Sequence, residues 1–298
     1  MSPPPLFLRL RGRAIEVGAR PLLMGIVNAT PDSFSDAGDH PTLKARVALA
    51  ERLLEDGADL IDVGGESASG HHPAVTAEEE SERVVGLIER IAALGAPVSV
   101  DTHKPEVAEA AIAAGAVLVN DVSGLRDPAL ADVCARSRAG LVVMHTRVAP
   151  KATLLDPGHY DDVAADVTGF LRERMALAIA RGVDPEQILL DPGPDFAKTP
   201  AQTVAVLRRL DDVLALGRPI LLAISNKDFV GAVTGRPPRE RLAGSLAAVA
   251  HGVEAGAHVL RVHDVAAAAD FLRVRAALRG EIELAPDEGL TPDRYPGR

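Results

Sequence analysis

The chain has 298 residues, enough for one large α/β domain or two smaller ones. Trp is absent and aliphatics and Ala abound; the net charge is −10, and the lack of any Lys/Arg block argues against a nucleic-acid or anionic-membrane surface. The single cysteine, Cys134, excludes an intramolecular disulfide, fits a reducing compartment and is expected to be a small buried residue in a helix.

The first residues carry no signal-peptide core, and no apolar run approaches transmembrane length. The chain is therefore expected to be soluble and cytoplasmic. Residues 6–17 read as two short strands around Gly12, a hairpin expected to plug one end of the main fold. Residues 22–27 are apolar and turn abruptly polar at Asn28, with Thr30, Pro31, Asp32, Ser33 and Ser35 following. A short apolar run bounded by turn chemistry predicts a buried strand ending in a functional loop.

That unit recurs. Helical patterns over 42–55, 79–93, 106–114, 128–138, 160–181, 203–216 and 240–255 each lead into another apolar run. These runs cover 60–63, 98–100, 117–119, 141–144, 188–190, 220–224 and 259–260. A last helix is predicted over 267–279, and a polar, Pro-rich surface tail over 281–298. Gly residues before the strands read as helix C-caps that need positive φ. Eight strand–helix units in about 250 residues predict a (β/α)8 TIM barrel in one domain over 1–280. An open doubly wound sheet fits less well, because no G-x-G-x-x-G follows the first strand.

In such a barrel the chemistry sits at the C-terminal ends of the strands. The strand ends carry Asn28, Asp62 with Glu66, Asp101, Asn120 with Asp121, His145, Asp191, Lys227, and Arg261 with His263. Asp101, Asn120 and Asp191 directly follow apolar residues and are expected to converge on a flat heterocycle rich in N–H donors. A carboxylate accepts two parallel hydrogen bonds from an amino-pyrimidine edge, and Asn both donates and accepts. Arg261 and His263 alternate with Val262, so they share one side and, with Asn28, make a phosphate site. Lys227 is placed between the two subsites. Asp62 is expected to be a buried hydrogen-bonding residue, and His145 a further contact at the mouth. The adjacent His71 and His72 read as a solvated loop rather than a chelate.

These blocks resemble the dihydropteroate synthase family, from the N-terminal hairpin to the last helix. The resemblance rests on Asn28-Ala29-Thr30-Pro31-Asp32-Ser33-Phe34-Ser35-Asp36, Ile61-Asp62-Val63-Gly64-Gly65-Glu66-Ser67 and Ser99-Val100-Asp101-Thr102. It continues in Asn120-Asp121-Val122-Ser123, in Asp191-Pro192-Gly193 with Phe196 and Lys198, and in Arg261-Val262-His263-Asp264-Val265. It implies a transferase of folate biosynthesis, often a homodimer. Such an enzyme condenses 6-hydroxymethyl-7,8-dihydropterin diphosphate with p-aminobenzoate, with magnesium (Mg²⁺) on the diphosphate. Carried over residue by residue, Asp101, Asn120, Asp191 and Lys227 would hold the pterin, with Phe196 at the pocket wall. Asn28, Arg261 and His263 would hold the diphosphate, and Asn28 would also meet the metal. Lys227, Asp101 and Arg261 are the expected catalytic groups.

Three blocks depart from the family pattern. Gly64-Gly65-Glu66-Ser67-Ala68-Ser69-Gly70 lacks the usual Thr and Arg after the Ser. Ser225-Asn226-Lys227 has Asn for the usual Arg, and Asp195 replaces a usual Gly before Phe196. The missing arginines remove obvious partners for a benzoate carboxylate, and Asp195 adds a negative charge there. Two readings therefore stay open: a working synthase with an unusual second-substrate site, and a pterin-diphosphate-binding paralogue that lacks p-aminobenzoate condensation or uses another nucleophile. A methyltransferase acting on a folate donor fits less well, because such a donor brings no diphosphate to Arg261 and His263.

Overall fold

The structure is a computed structural model that describes residues 6–18, 20–30, 42–67 and 73–285. Strands β1 (Leu6–Leu10) and β2 (Arg13–Val17) form the expected antiparallel hairpin. Eight parallel strands follow: β3 (Leu22–Asn28), β4 (Leu60–Gly64), β5 (Val98–Asp101), β6 (Leu118–Asp121), β7 (Gly140–Met144), β8 (Ile188–Asp191), β9 (Leu221–Ala223) and β10 (Val259–Val262). Their spatial order is β8-β7-β6-β5-β4-β3-β10-β9. Leu190 N donates to Pro219 O at 2.9 Å, and a bridge pairs Leu190 with Ile220, closing the barrel between β8 and β9.

The helices are α1 (Leu43–Glu55), α2 (Ala77–Ala93), α3 (Pro105–Ala113), α4 (Ala129–Ser137), α5 (Val163–Ala180), α6 (Pro200–Arg208), α7 (Leu210–Leu214), α8 (Asp228–Thr234), α9 (Leu242–Glu254) and α10 (Val265–Leu278). Several starts are written in the sequence as side-chain caps. Thr42, Thr76, Asp162, Thr199 and Asp264 each accept from a backbone N–H of the first turn that would otherwise lack a partner. The helix predicted over 203–216 is broken. Arg209 leaves helical geometry, while Val206, Leu207, Leu210 and Val213 on either side of it are all buried. Helix α8 was not expected; it is a short helix of 7 residues that starts directly after Lys227.

The hairpin plugs the barrel floor. Leu8, Leu10 and Val17 pack with Met24, Leu60, Leu118, Val142, Leu189, Leu221 and Val259, an apolar layer that shuts this end to water. Gly140 serves that contact and is not a cap, contrary to the sequence expectation. A Cβ there would stand 2.6 Å from Leu10 and 2.7 Å from Leu118. The left-handed residue that ends α4 is Arg138 instead. Cys134 is fully buried near this floor, and burial raises its thiol pKa, which fits an inert core residue. With the floor sealed, the opposite end is the open one. Residues 31–41, 68–72 and 286–298 lie outside the described residues, so most of the first loop motif, Ala68, Ser69, His71, His72 and most of the tail do too.

Candidate active site

The strand register assembles the rim. Asn28 pairs with Gly64, Gly64 with Asp101, and Asp101 with Asn120, so four consecutive strands end in one layer. Asp191 ends β8 opposite Met144 of β7. Together they surround a cavity of about 380 Å³ at the C-terminal mouth. Asn28, Asp101, Asn120, Asp191, Phe196, Lys227, Arg261 and His263 all line it. All the residues expected to hold the pterin and the diphosphate thus face one space. Ile26, Val122, Met144 and Ala223 supply apolar walls among them. Polar groups converging in an apolar slot fit a flat, hydrogen-bonding ligand.

Arg261 occupies a deeper position than the sequence suggested. It pairs in register with Met24, well below Asn28, and its guanidinium crosses the barrel interior. Its Nε donates to Asp62 Oδ2 at 2.7 Å and its Nη2 to Asp101 Oδ2 at 3.2 Å. Asn120 Nδ2 donates to the same Asp62 oxygen at 3.1 Å. Asp62, fully buried, therefore joins the arginine to the asparagine. Asp264, the nearest acid in sequence, is used up as the cap of α10. Burial and the neighbouring Asp62 push the Asp101 carboxyl up to about 7, against the pull of Arg261.

Asp191 is held by its own loop. Its Oδ1 accepts from Gly193 N at 2.7 Å, and burial pushes its carboxyl up to about 6. Gly193 has φ +64, and a Cβ there would lie 2.1 Å from His145 O, so only glycine fits this turn. Behind the turn sits Lys198, almost fully buried. Its Nζ donates to Gly193 O at 2.9 Å and Phe196 O at 3.0 Å, and lies 2.7 Å from His145 Nδ1. His145 Nε2 lies 2.9 Å from Asp166 Oδ1. Burial takes Lys198 down to about 7 and His145 down to about 4. His145 does not line the cavity, contrary to the expectation of a mouth contact; it backs the Lys198 strut. Asp121 also turns inward, accepting from Ser123 N and Leu125 N to shape the loop after β6.

These blocks decide the family. A model described as pterin binding enzyme matches residues 24–263. A Bacillus subtilis dihydropteroate synthase is 41% identical over 267 residues, covering 89% of this chain and 91% of the relative. The chain belongs to the dihydropteroate synthase family. Solved structures agree. The Xanthomonas albilineans dihydropteroate synthase with 4-aminobenzoic acid matches with TM-score 0.84 and 47% identity, over 92% of this chain and 98% of that one. The Thermus thermophilus dihydropteroate synthase in complex with 6HMPPP matches with TM-score 0.78 and 40% identity, over 91% and 99%.

Apart from Glu66, the other charged groups that gather at this mouth carry no signal in the sequence. Arg83 of α2 lines the cavity; its Nη1 donates to Gly65 O at 3.0 Å and its Nη2 to Glu79 at 2.5 Å. Its i, i+4 pairing with Glu79 looks in sequence like a solvated helix face. Glu66 meets Lys104 at 2.5 Å and Lys151 at 3.0 Å, and Lys104 also reaches the buried Glu80 at 2.5 Å. Burial works to raise the Glu66 carboxyl, but the two lysines outweigh it and hold it below the usual value. The second loop of this dihydropteroate synthase family member is therefore built on a lysine–glutamate lattice.

Proposed function

We propose that this chain condenses 6-hydroxymethyl-7,8-dihydropterin diphosphate with p-aminobenzoate to give 7,8-dihydropteroate. The observation that carries this reading is the single cavity in which Asp101, Asn120 and Asp191 share space with Asn28, Arg261 and His263. Its support includes similar synthases solved with 4-aminobenzoic acid, with 6HMPPP and with 7,8-dihydropteroate.

In this reading Asp191 accepts from the amino-pyrimidine edge, while Asn120 and Asp101 meet the rest of the ring. Val122 and Met144 flank its faces. Lys227 faces a ring acceptor, its Nζ lying 4.5 Å from the centre of the Phe196 ring. The bond between the methylene carbon and the diphosphate oxygen breaks, and both electrons leave with the diphosphate. The aryl amine nitrogen then bonds to that carbon and loses a proton to solvent. Arg261, His263 and Asn28 hold the leaving group and stabilise the charge that develops on it. Arg83 is the guanidinium on the cavity wall that takes the benzoate carboxylate, in place of the arginines missing from the loops.

Magnesium belongs to the same proposal. Among the described residues no group of three or more His, Cys, Asp or Glu side chains could hold a metal ion. An oxygen donor at Asn28, with Asp101 beside it across Gly64, suits an ion that keeps most of its ligands as substrate phosphate and water. Bound there, magnesium would neutralise diphosphate charge. We also place the enzyme in the cytoplasm as a homodimer. The exposed Val274 and Leu278 of α10 offer apolar surface to a second copy, and among the described residues no helix is long and apolar enough to cross a membrane.

Incubation with both substrates and magnesium is expected to yield 7,8-dihydropteroate, identified by mass. Absence of that product would refute the assignment. Binding should also depend on pH. Asp191 must be ionised to accept two N–H bonds, and burial has moved its carboxyl to about 6. Pterin affinity is therefore expected to rise as pH increases through about 6 and to level off above it. Calorimetry across that range checks this; an affinity independent of pH would remove Asp191 from the pterin edge.

A further inference from the structure

Asp195 stands where the family pattern has glycine, and it keeps a left-handed backbone, with φ +65. Its side chain points away from the role expected of it. Oδ2 accepts from Asp228 N at 2.6 Å and from Phe229 N at 3.4 Å, the first amides of α8. Oδ1 accepts from Thr203 Oγ1 at 3.0 Å, and Asp195 N donates to the same hydroxyl at 3.0 Å. Helix α8 has no cap of its own, because its N-cap residue is Lys227, whose side chain makes no capping bond. Asp195 supplies that cap from a different loop. The carboxylate thus ties three pieces together: the loop after β8, the buried Thr203 of α6, and the β9–α8 junction.

The junction carries the site. Phe196 follows Asp195, Lys227 precedes Asp228, and the two face each other across 4.5 Å at the cavity wall. We propose that Asp195 is a positioning residue that fixes Phe196 and Lys227 against each other and so sets the width of the cavity at the ring end. The inference rests on the pterin reading of that cavity. It also explains how the chain tolerates an extra acid here: the charge is spent on helix amides and on a hydroxyl.

Asp195→Gly restores the family residue and suits the positive φ, but it removes the clamp. Asp195→Asn keeps an acceptor for α8 and a polar partner for Thr203. Steady-state kinetics of wild type and both variants should show Asp195→Gly raising KM for the pterin diphosphate about tenfold, as for a displaced positioning group, with Asp195→Asn close to wild type. Thr203→Val, which loosens the same clamp from α6, should move KM in the same direction. Asp195→Gly with a wild-type KM and only a lowered Tm would overturn the inference, and so would Asp195→Asn no better than Asp195→Gly. A wild-type enzyme without activity would instead count against the pterin reading itself.

Discussion

Arg261→Ala is expected to lower folding stability by about 3 kcal/mol or more and to weaken bare pterin as well as, more strongly, the pterin diphosphate. The sequence placed this arginine with the phosphate, so a loss confined to the diphosphate would have been expected. The structure adds a loss on the pterin side. The guanidinium donates to Asp62 and Asp101, and Asp62 in turn holds Asn120. Removing it leaves a fully buried carboxylate without its cation, and that carboxylate is the one the Asn120 amide donates to. Asp101 can take up a proton in response, because its carboxyl already sits near 7. Arg261→Lys should recover part of the stability but not both contacts, since an ammonium cannot span two carboxylates as a planar fork does. Denaturant titration and calorimetry with the two ligands measure this. Unchanged pterin affinity in Arg261→Ala would show that the arginine serves the diphosphate alone.

Asp191→Asn is expected to weaken pterin binding by about 2–3 kcal/mol while leaving the fold nearly unchanged. An amide can still accept from Gly193 N, which preserves the turn. It cannot offer two charged acceptor oxygens to an amino-pyrimidine edge. Burial already disfavours the Asp191 anion, so the empty site holds it at a cost that a ligand's N–H donors relieve. The variant should also lose the pH dependence of binding near 6. Unaltered affinity by calorimetry would remove Asp191 from the pterin contacts.

Much of this architecture was legible because parallel barrels repeat one local rule. Each strand is a short apolar run, and each run ends in a polar residue at the same end of the barrel. That rule alone collected Asn28, Asp101, Asn120, Asp191, Lys227, Arg261 and His263, which the structure brings to one cavity. It failed where contacts cross between units. Arg83 lies on a helix whose charges look like ordinary i, i+4 pairs, and only the fold brings it against Gly65 at the mouth. Depth along a strand is set by register with its neighbour, so Arg261 could be assigned a side but not a level. Asp195 was legible as an extra charge but not as a cap, since α8 lies 33 positions away in the chain. Gly140 followed the pattern of a helix-ending glycine, yet it makes room for Leu10 of the hairpin.

The most direct test is diphosphate release from the pterin diphosphate with magnesium, measured with and without p-aminobenzoate. The assignment predicts release that depends on p-aminobenzoate and appears one for one with 7,8-dihydropteroate. Tight binding of the pterin diphosphate with no release when p-aminobenzoate is added would contradict it.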